Sequence, residues 1–510
     1  MSQLASPRMV TTSAILLGVY CAIVLALVIR GALKTKSMAD YAVGSMAFSP
    51  LVVGLSLAAS MMSAATFIIN PGLIALFGVS GVISYGVALP VAALVSFVVL
   101  TKGFRRRGQA INATTMAQWI GQRFESPRYA FVFALLALLL ITFIVLICVG
   151  LTKVVSKALN LDELIVLIGV TVFIFGYMMF GGANSMVYTN AVQAALMLVV
   201  AIALITSGFE HFGDGLSGFL GKLRAIDPNL ASATNPKSFL FRDFFEIIVC
   251  QLVIGVAIVC QPHIITKSLF LRSDKDVNRY IVVSVIVSMI FFSVVLVGLY
   301  ARLRFPDLAV DGVALKTDGI VSAYVVKQFS VALGIVIVLG LIAAGISTLE
   351  GLIQSVSATV TADLLRPIRR ALGREVDAES PKEVVINRLV IAALGAISAY
   401  LSWRQLVNPD VSVAIFAQNG VYAYFAAAFV PVLLGTFADR VPKVAPISAS
   451  TVAILVHFSV YYGRITRYMQ SAARNPGVAG AIAIVSALVV GLVVMTLMRR
   501  RADAPAAEMR

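Results

Sequence analysis

Charge is scarce in this 510-residue chain. Asp, Glu, Lys and Arg make up 13% of it against 60% apolar residues, and the mean hydropathy is +0.97, a balance that excludes a soluble globular protein. Histidine and cysteine are also scarce. The three His, at 211, 263 and 457, form no cluster, and Cys21, Cys148, Cys250 and Cys260 lie in apolar runs without paired ligand spacing. That argues against a metal centre or a disulfide framework and leaves the four thiols as small hydrophobic groups. No segment between apolar runs exceeds about 40 residues, and no nucleophile with a local base, phosphate loop or HExxH is present, so no enzyme active site is expected.

What the chain has in quantity is apolar runs long enough to cross a bilayer, for which roughly 20 helical residues suffice. Thirteen are read, at about 9–33, 48–77, 80–101, 129–157, 163–182, 187–209, 246–270, 279–304, 327–365, 386–403, 411–437, 441–463 and 475–498. The first follows "MSQLASPRM" and is too long for a signal-peptide core, so it is expected to be retained. The fold class is an all-α integral membrane protein.

With thirteen spans the termini lie on opposite sides. Sorting the 40 Lys and Arg between the two sets of loops places 25 on the side that holds Arg30, the "KGFRRR" cluster, Lys267 to Arg279, Arg366 to Arg388 and the C-terminal tail. The positive-inside rule makes that side cytoplasmic, with the N-terminus outside. The expected address is the plasma (inner) membrane, and the formal charge of +16 is a topology signal and a contact for anionic lipid. Loops this short offer no nucleic-acid surface, and the functional unit is expected to be a monomer.

Polar residues inside two spans mark where function sits. Span two reads "GLSLAASMMSAATFIINPGLIALFG", with Ser56, Ser60, Ser63, Thr66 and Asn70 ahead of Pro71-Gly72, and span seven reads "QLVIGVAIVCQPHIITK", with Gln261-Pro262-His263. Released backbone groups are tolerated at membrane depth only where they line a cavity or meet a partner. The two are five spans apart, so a five-helix unit starting at span two would return inverted at span seven, as in secondary transporters. The expected layout is a flanking helix and loop in 1–47, one repeat in 48–209, an extracellular loop in 210–245, the second repeat in 246–437, two flanking helices in 438–498 and a cytoplasmic tail in 499–510.

The ordered motifs resemble those of the sodium:solute symporter family. "SAATFIINPG" is similar to that family's first broken helix, "FGGANSMVYTNAVQAALM" to its GG...TD..Q motif, "CQPHI" to its proline-centred break, and "AAGISTLEGLIQS" to its A..ST helix. The likeness runs over about residues 9–500 and implies a leucine-transporter-type core with one flanking helix before it and two after. It implies a symporter coupled to sodium, without an organic cofactor, that imports a small solute. By position, sodium would be held by the carbonyls of Ala59, Met62 and Ala344 and the hydroxyls of Ser347 and Thr348. An all-oxygen set suits a hard cation. The residues alone also allow Ser347 and Thr348 to bond carbonyls of their own helix.

Two departures from the pattern stand out. The span-six motif has Asn190 where the family carries Asp, and Glu350 stands where some members place a hydroxyl of a second sodium site, followed by Gly351. Glu350 and Asn190 are therefore expected to form a second cation or proton site, with the carboxylate moved from one helix to the other. Proton coupling through Glu350 and a transporter-like sensor are the alternatives. The substrate pocket is expected around Ala65, Thr66, Asn70, Ile254, Ile258, Gln261, Pro262, Gln418 and Asn419, and is read as aliphatic. No Lys or Arg is read deep in a core span, and a monocarboxylate or similar organic acid is the preferred solute class.

Overall fold

In lipid a spanning segment must satisfy its own backbone, and the long apolar runs do so as helices. The computed structural model describes residues 7–507 except 46, 64, 272, 311, 409–412 and 472. Among the described residues eleven helices are long and apolar enough to cross a membrane, and two bent helix pairs bring the number to thirteen. In chain order they are α1 (Val10–Ala32), α2 (Pro50–Met61 as α2a, Ala65–Phe77 as α2b), α3 (Val79–Ala110), α4 (Pro127–Leu159), α5 (Glu163–Gly181) and α6 (Ala183–Phe212). There follow α7 (Phe245–Ile258 as α7a, Pro262–Phe270 as α7b), α8 (Asp274–Arg304), α9 (Val331–Ala371), α10 (Pro381–Val407), α11 (Val413–Phe437), α12 (Val444–Tyr462) and α13 (Pro476–Arg499). The one sheet described is a two-residue hairpin pairing Ala309–Val310 with Val313–Ala314.

Helix ends follow local signals. Ser273 accepts from the backbone N–H of Asp276 and starts α8 at Asp274, so Lys275 and Arg279, expected in a loop, sit in its first turns. The ninth span starts later than expected because Ile320–Gln328 forms a helix of its own, and Ser330 then caps Leu333. Gly182 separates α5 from α6 with φ of +61°, and a Cβ there would fall 2.7 Å from the Tyr41 ring, so only glycine fits that turn.

The two bent helices are those expected from sequence, and each turns by 57°. They run antiparallel: Lys267 on α7b reaches Ser56 and Ser60 on α2a, so the first half of one lies level with the second half of the other. At that end of the bundle the basic loops meet. Arg105 pairs with Asp274 at 2.7 Å, Thr115 with Asp363 at 2.6 Å, and Arg123 donates to the Gly435 carbonyl at 2.8 Å. At the opposite end Asn235 donates to the Phe77 carbonyl and Arg467 pairs with Asp243.

One basic residue leaves its expected place. Lys267, counted with the loop charges, is 1% exposed, and it overturns the expectation that no cation lies deep in a core span. Five residues past Pro262, it is still on the helix, and its stem turns inward.

Candidate functional site

The bends in α2 and α7 open onto one cavity of about 120 Å³. From α2 it takes Met61, Ser63, Ala65, Thr66 and Asn70, and from α7 Ile258, Gln261, His263 and Ile264. The bends arise differently. Pro262 forces Gln261 into extended backbone (φ −72°, ψ 135°) and begins α7b without needing an N–H. In α2 the break falls at Met62, also extended (φ −105°, ψ 98°), nine residues before Pro71, and Ser63 caps it by accepting from the Ala65 N–H at 3.2 Å. Pro71 follows a wide turn of π-helix at Ala65–Ile69, which takes up the helix bond that proline cannot make. Each break aims one helix N-terminus at the cavity, where positive partial charge favours an anionic group.

Six of the nine expected pocket residues line this cavity: Ala65, Thr66, Asn70, Ile258, Gln261 and Gln418. Three do not. Ile254 sits a turn deeper with its Cδ1 against Gly480 of α13. Asn419, about 100° round the helix from Gln418, donates to the Tyr462 hydroxyl and meets His457 Nε2 at 2.9 Å. Pro262 makes the bend without facing the space. The wall is also less aliphatic than expected, since Tyr85, Phe143, His263, Phe292 and Tyr422 contribute rings. Among the described polar atoms, Gln261 Oε1 and His263 Nδ1 have no hydrogen-bond partner, and both residues are on the wall.

Beside the α2 break lies a buried oxygen cluster. Ser347 Oγ is 2.9 Å from the Ala59 carbonyl and 3.0 Å from that of Ala344, and Thr348 Oγ1 is 3.3 Å from the Ala344 carbonyl. The Met62 N–H donates to the same Ala59 carbonyl at 3.3 Å. All five residues named from sequence thus meet in one place, and Ala59, Met62, Ala344, Ser347 and Thr348 are all fully buried. The Ser347 bond crosses from α9 to α2a, so back-bonding within α9 is not its whole role.

Residues 41–452 match the model of the sodium:solute symporter family. The chain belongs to that family. A sodium/pantothenate symporter of Escherichia coli (strain K12) is 25% identical over 83% of this chain and 85% of its own length. A monocarboxylic acid transporter of Corynebacterium glutamicum is 23% identical over 82% and 77%. A solved structure described as the substrate-bound outward-open state of a sodium-coupled sialic acid symporter matches with a TM-score of 0.76 at 17% identity, over 95% of this chain and 97% of that one, which shows a shared fold. Family membership supports sodium-coupled import of a solute through a multi-pass membrane protein and makes the chain a transporter, not an enzyme.

The symporter holds the buried carboxylate of Glu350 in a second cluster, next to the first. Glu350 Oε1 accepts from the Tyr177 hydroxyl and, at 3.5 Å, from Gln193 Nε2, while Oε2 accepts from Thr189 Oγ1 at 2.6 Å. Asn190 sits between Glu350 and Lys267. With its amide turned to satisfy both ends, it donates to Glu350 Oε2 at 2.6 Å and Gln193 Oε1 at 2.9 Å. Its oxygen then accepts from Lys267 Nζ at 3.2 Å and Ser60 Oγ at 2.8 Å. Asn190 and Glu350 are thus brought together as expected. The residue missed from sequence is Lys267, whose ammonium donates to the Ser56 carbonyl and hydroxyl at 2.8 Å each and to Ser60 Oγ at 2.6 Å.

Proposed function

We propose that this symporter imports a small organic acid, a monocarboxylate in preference, with sodium bound by the Ala59, Met62 and Ala344 carbonyls and the Ser347 and Thr348 hydroxyls. The observation that carries the ion site is the 2.9 Å contact of Ser347 Oγ with the Ala59 carbonyl. It joins α9 to the bent helix that also borders the cavity. An ion entering there would exchange a hydroxyl–carbonyl bond for two ligands and couple the two helices, which is what alternating access requires.

The organic-acid reading rests on the two helix N-termini at the cavity, on the unpartnered His263 Nδ1 on its wall, which as an N–H can donate to a carboxylate, and on relatives named for pantothenate and monocarboxylic acids. Asn70 and Thr66 supply further polar contacts, and the rings limit the solute's size. One sodium ion crossing about 100 mV releases about 2.3 kcal/mol, and a tenfold gradient adds about 1.4 kcal/mol. A neutral solute could therefore be concentrated about 500-fold. A monoanion cancels the voltage contribution and reaches about tenfold.

Uptake into proteoliposomes from a panel of labelled organic and amino acids, with sodium and proton gradients imposed separately, tests the reading. Sodium-driven uptake of a carboxylate is expected. Uptake driven equally by a proton gradient without sodium would replace it with the Glu350 alternative. The proposed orientation has loops 102–128 and 366–386 in the cytoplasm. Cysteines at the exposed Arg106 and Arg370, in a background lacking the four native thiols, should resist an impermeant reagent until cells are lysed. Labelling of intact cells at both sites would reverse the orientation.

A further inference from the structure

We propose that Lys267 is a built-in cation: its ammonium fills the oxygen cage between α2a and α6 and supplies the positive charge that balances Glu350, so no second coupling ion is bound there. The inference rests on the sodium site proposed above and adds what lies next to it.

The cage is made of what a hard cation would use. Lysine has three N–H donors, and all three find oxygens within 2.8 Å, on Ser56 and Ser60. The Asn190 oxygen stands at 3.2 Å as a fourth. These groups are fully buried. A mobile sodium ion would have to displace the ammonium from this cage, against a like charge that its own four-carbon stem keeps tethered there.

Glu350 gives the same answer from the other side. A carboxylate offers about four acceptor positions, and Tyr177, Thr189, Gln193 and Asn190 occupy them. It has no position left for an ion. Its charge is met through Asn190, whose amide N–H faces the carboxylate while its oxygen faces the ammonium. An Asp at 190 would add a second negative charge beside Glu350, and Asn is the residue that can serve both ends. Two buried charges of opposite sign joined by a fully bonded amide form a closed set, whereas either alone is strongly unfavourable. Ser60 links this set to the sodium site, since its hydroxyl receives the ammonium and lies 3.3 Å from the Ser347 carbonyl.

The consequence is stoichiometric: one sodium ion per cycle, and electroneutral transport if the solute is a monoanion. Equilibrium binding of radiolabelled sodium to the purified full-length protein in detergent tests this without knowledge of the solute. Wild type should bind one ion per chain. Lys267→Met leaves Glu350 uncompensated beside an emptied oxygen cage and should bind two. Lys267→Met with Glu350→Gln should return to one. A wild-type count of two overturns the proposal and needs no variant to do so, and a Lys267→Met count that stays at one in monodisperse protein overturns it as well. Ser347→Ala with Thr348→Ala separates the two readings. Loss of the single wild-type ion keeps both, whereas retention of that ion moves the first site elsewhere while the count of one still supports Lys267.

Discussion

The two bent helices α2 and α7 turn by the same 57° and border the same cavity, yet they are built from different chemistry. In α7 a proline stands at the bend and fixes the residue before it in extended backbone. In α2 the bend comes well before the proline, is capped by Ser63, and is followed by a wide helical turn. Beyond the bends the asymmetry becomes complementary, because α2a contributes oxygens through Ser56, Ala59 and Ser60 whereas α7b contributes the cation Lys267. Two antiparallel copies of one architecture have divided the roles of cage and charge. The bend opens the cavity in both helices, and proline is one way to make it.

The strongest way to break this comparison is to force the halves apart. Gly298 of α8 packs on α2b so closely that a Cβ would lie 2.2 Å from the Pro71 carbonyl. Overpacking of this kind costs about 1–3 kcal/mol, and the contact is backbone on a helix that cannot swing aside. Gly298→Ala should therefore abolish sodium-driven uptake and lower the amount of folded protein recovered from membranes. Normal uptake would mean that α2b shifts freely.

A smaller effect separates the prolines. Pro262→Ala permits α7 to straighten across Gln261, so uptake should fall by about tenfold, the equivalent of about 1.4 kcal/mol. Pro71→Ala should change it by less than about twofold, because the bend in α2 does not depend on that residue. Equal losses would show that both bends are proline-made. Smaller still is the response to voltage. With one sodium ion and a monoanionic solute, an imposed inside-negative potential should leave initial uptake unchanged, and stimulation would reveal either a second cation or a neutral solute.

Much of this was legible in the sequence for physical reasons. Apolar run length gives the thirteen spans, and proline or clustered hydroxyls inside two of them mark the bent pair. The meeting of Ala59, Met62, Ala344, Ser347 and Thr348 follows from motif order. Lys267 escaped because charge counting assigns a basic residue near a span end to the adjoining loop. Its signal was its spacing: five residues past Pro262, within the run drawn to residue 270, it had to begin inside the helix. Ile254 and Asn419 lie off the cavity because neighbours in sequence need not share a helix face or a depth. The rings of Tyr85, Phe143 and Tyr422 come from helices whose rotation no single-sequence pattern fixes.

The account stands on the contact between α9 and α2a, and the sodium activation curve of the Ser347→Ala/Thr348→Ala variant tests it most directly. Measured in proteoliposomes with the solute that the uptake panel identifies, the variant removes two of five oxygen ligands. Contacts to a charged group contribute about 1.5–3 kcal/mol each, so with two of them lost the sodium concentration for half-maximal uptake should rise by about 100-fold or more while the reconstituted protein remains intact. An activation curve that overlays the wild-type curve would mean that these hydroxyls only bond the helices around them and that sodium binds elsewhere.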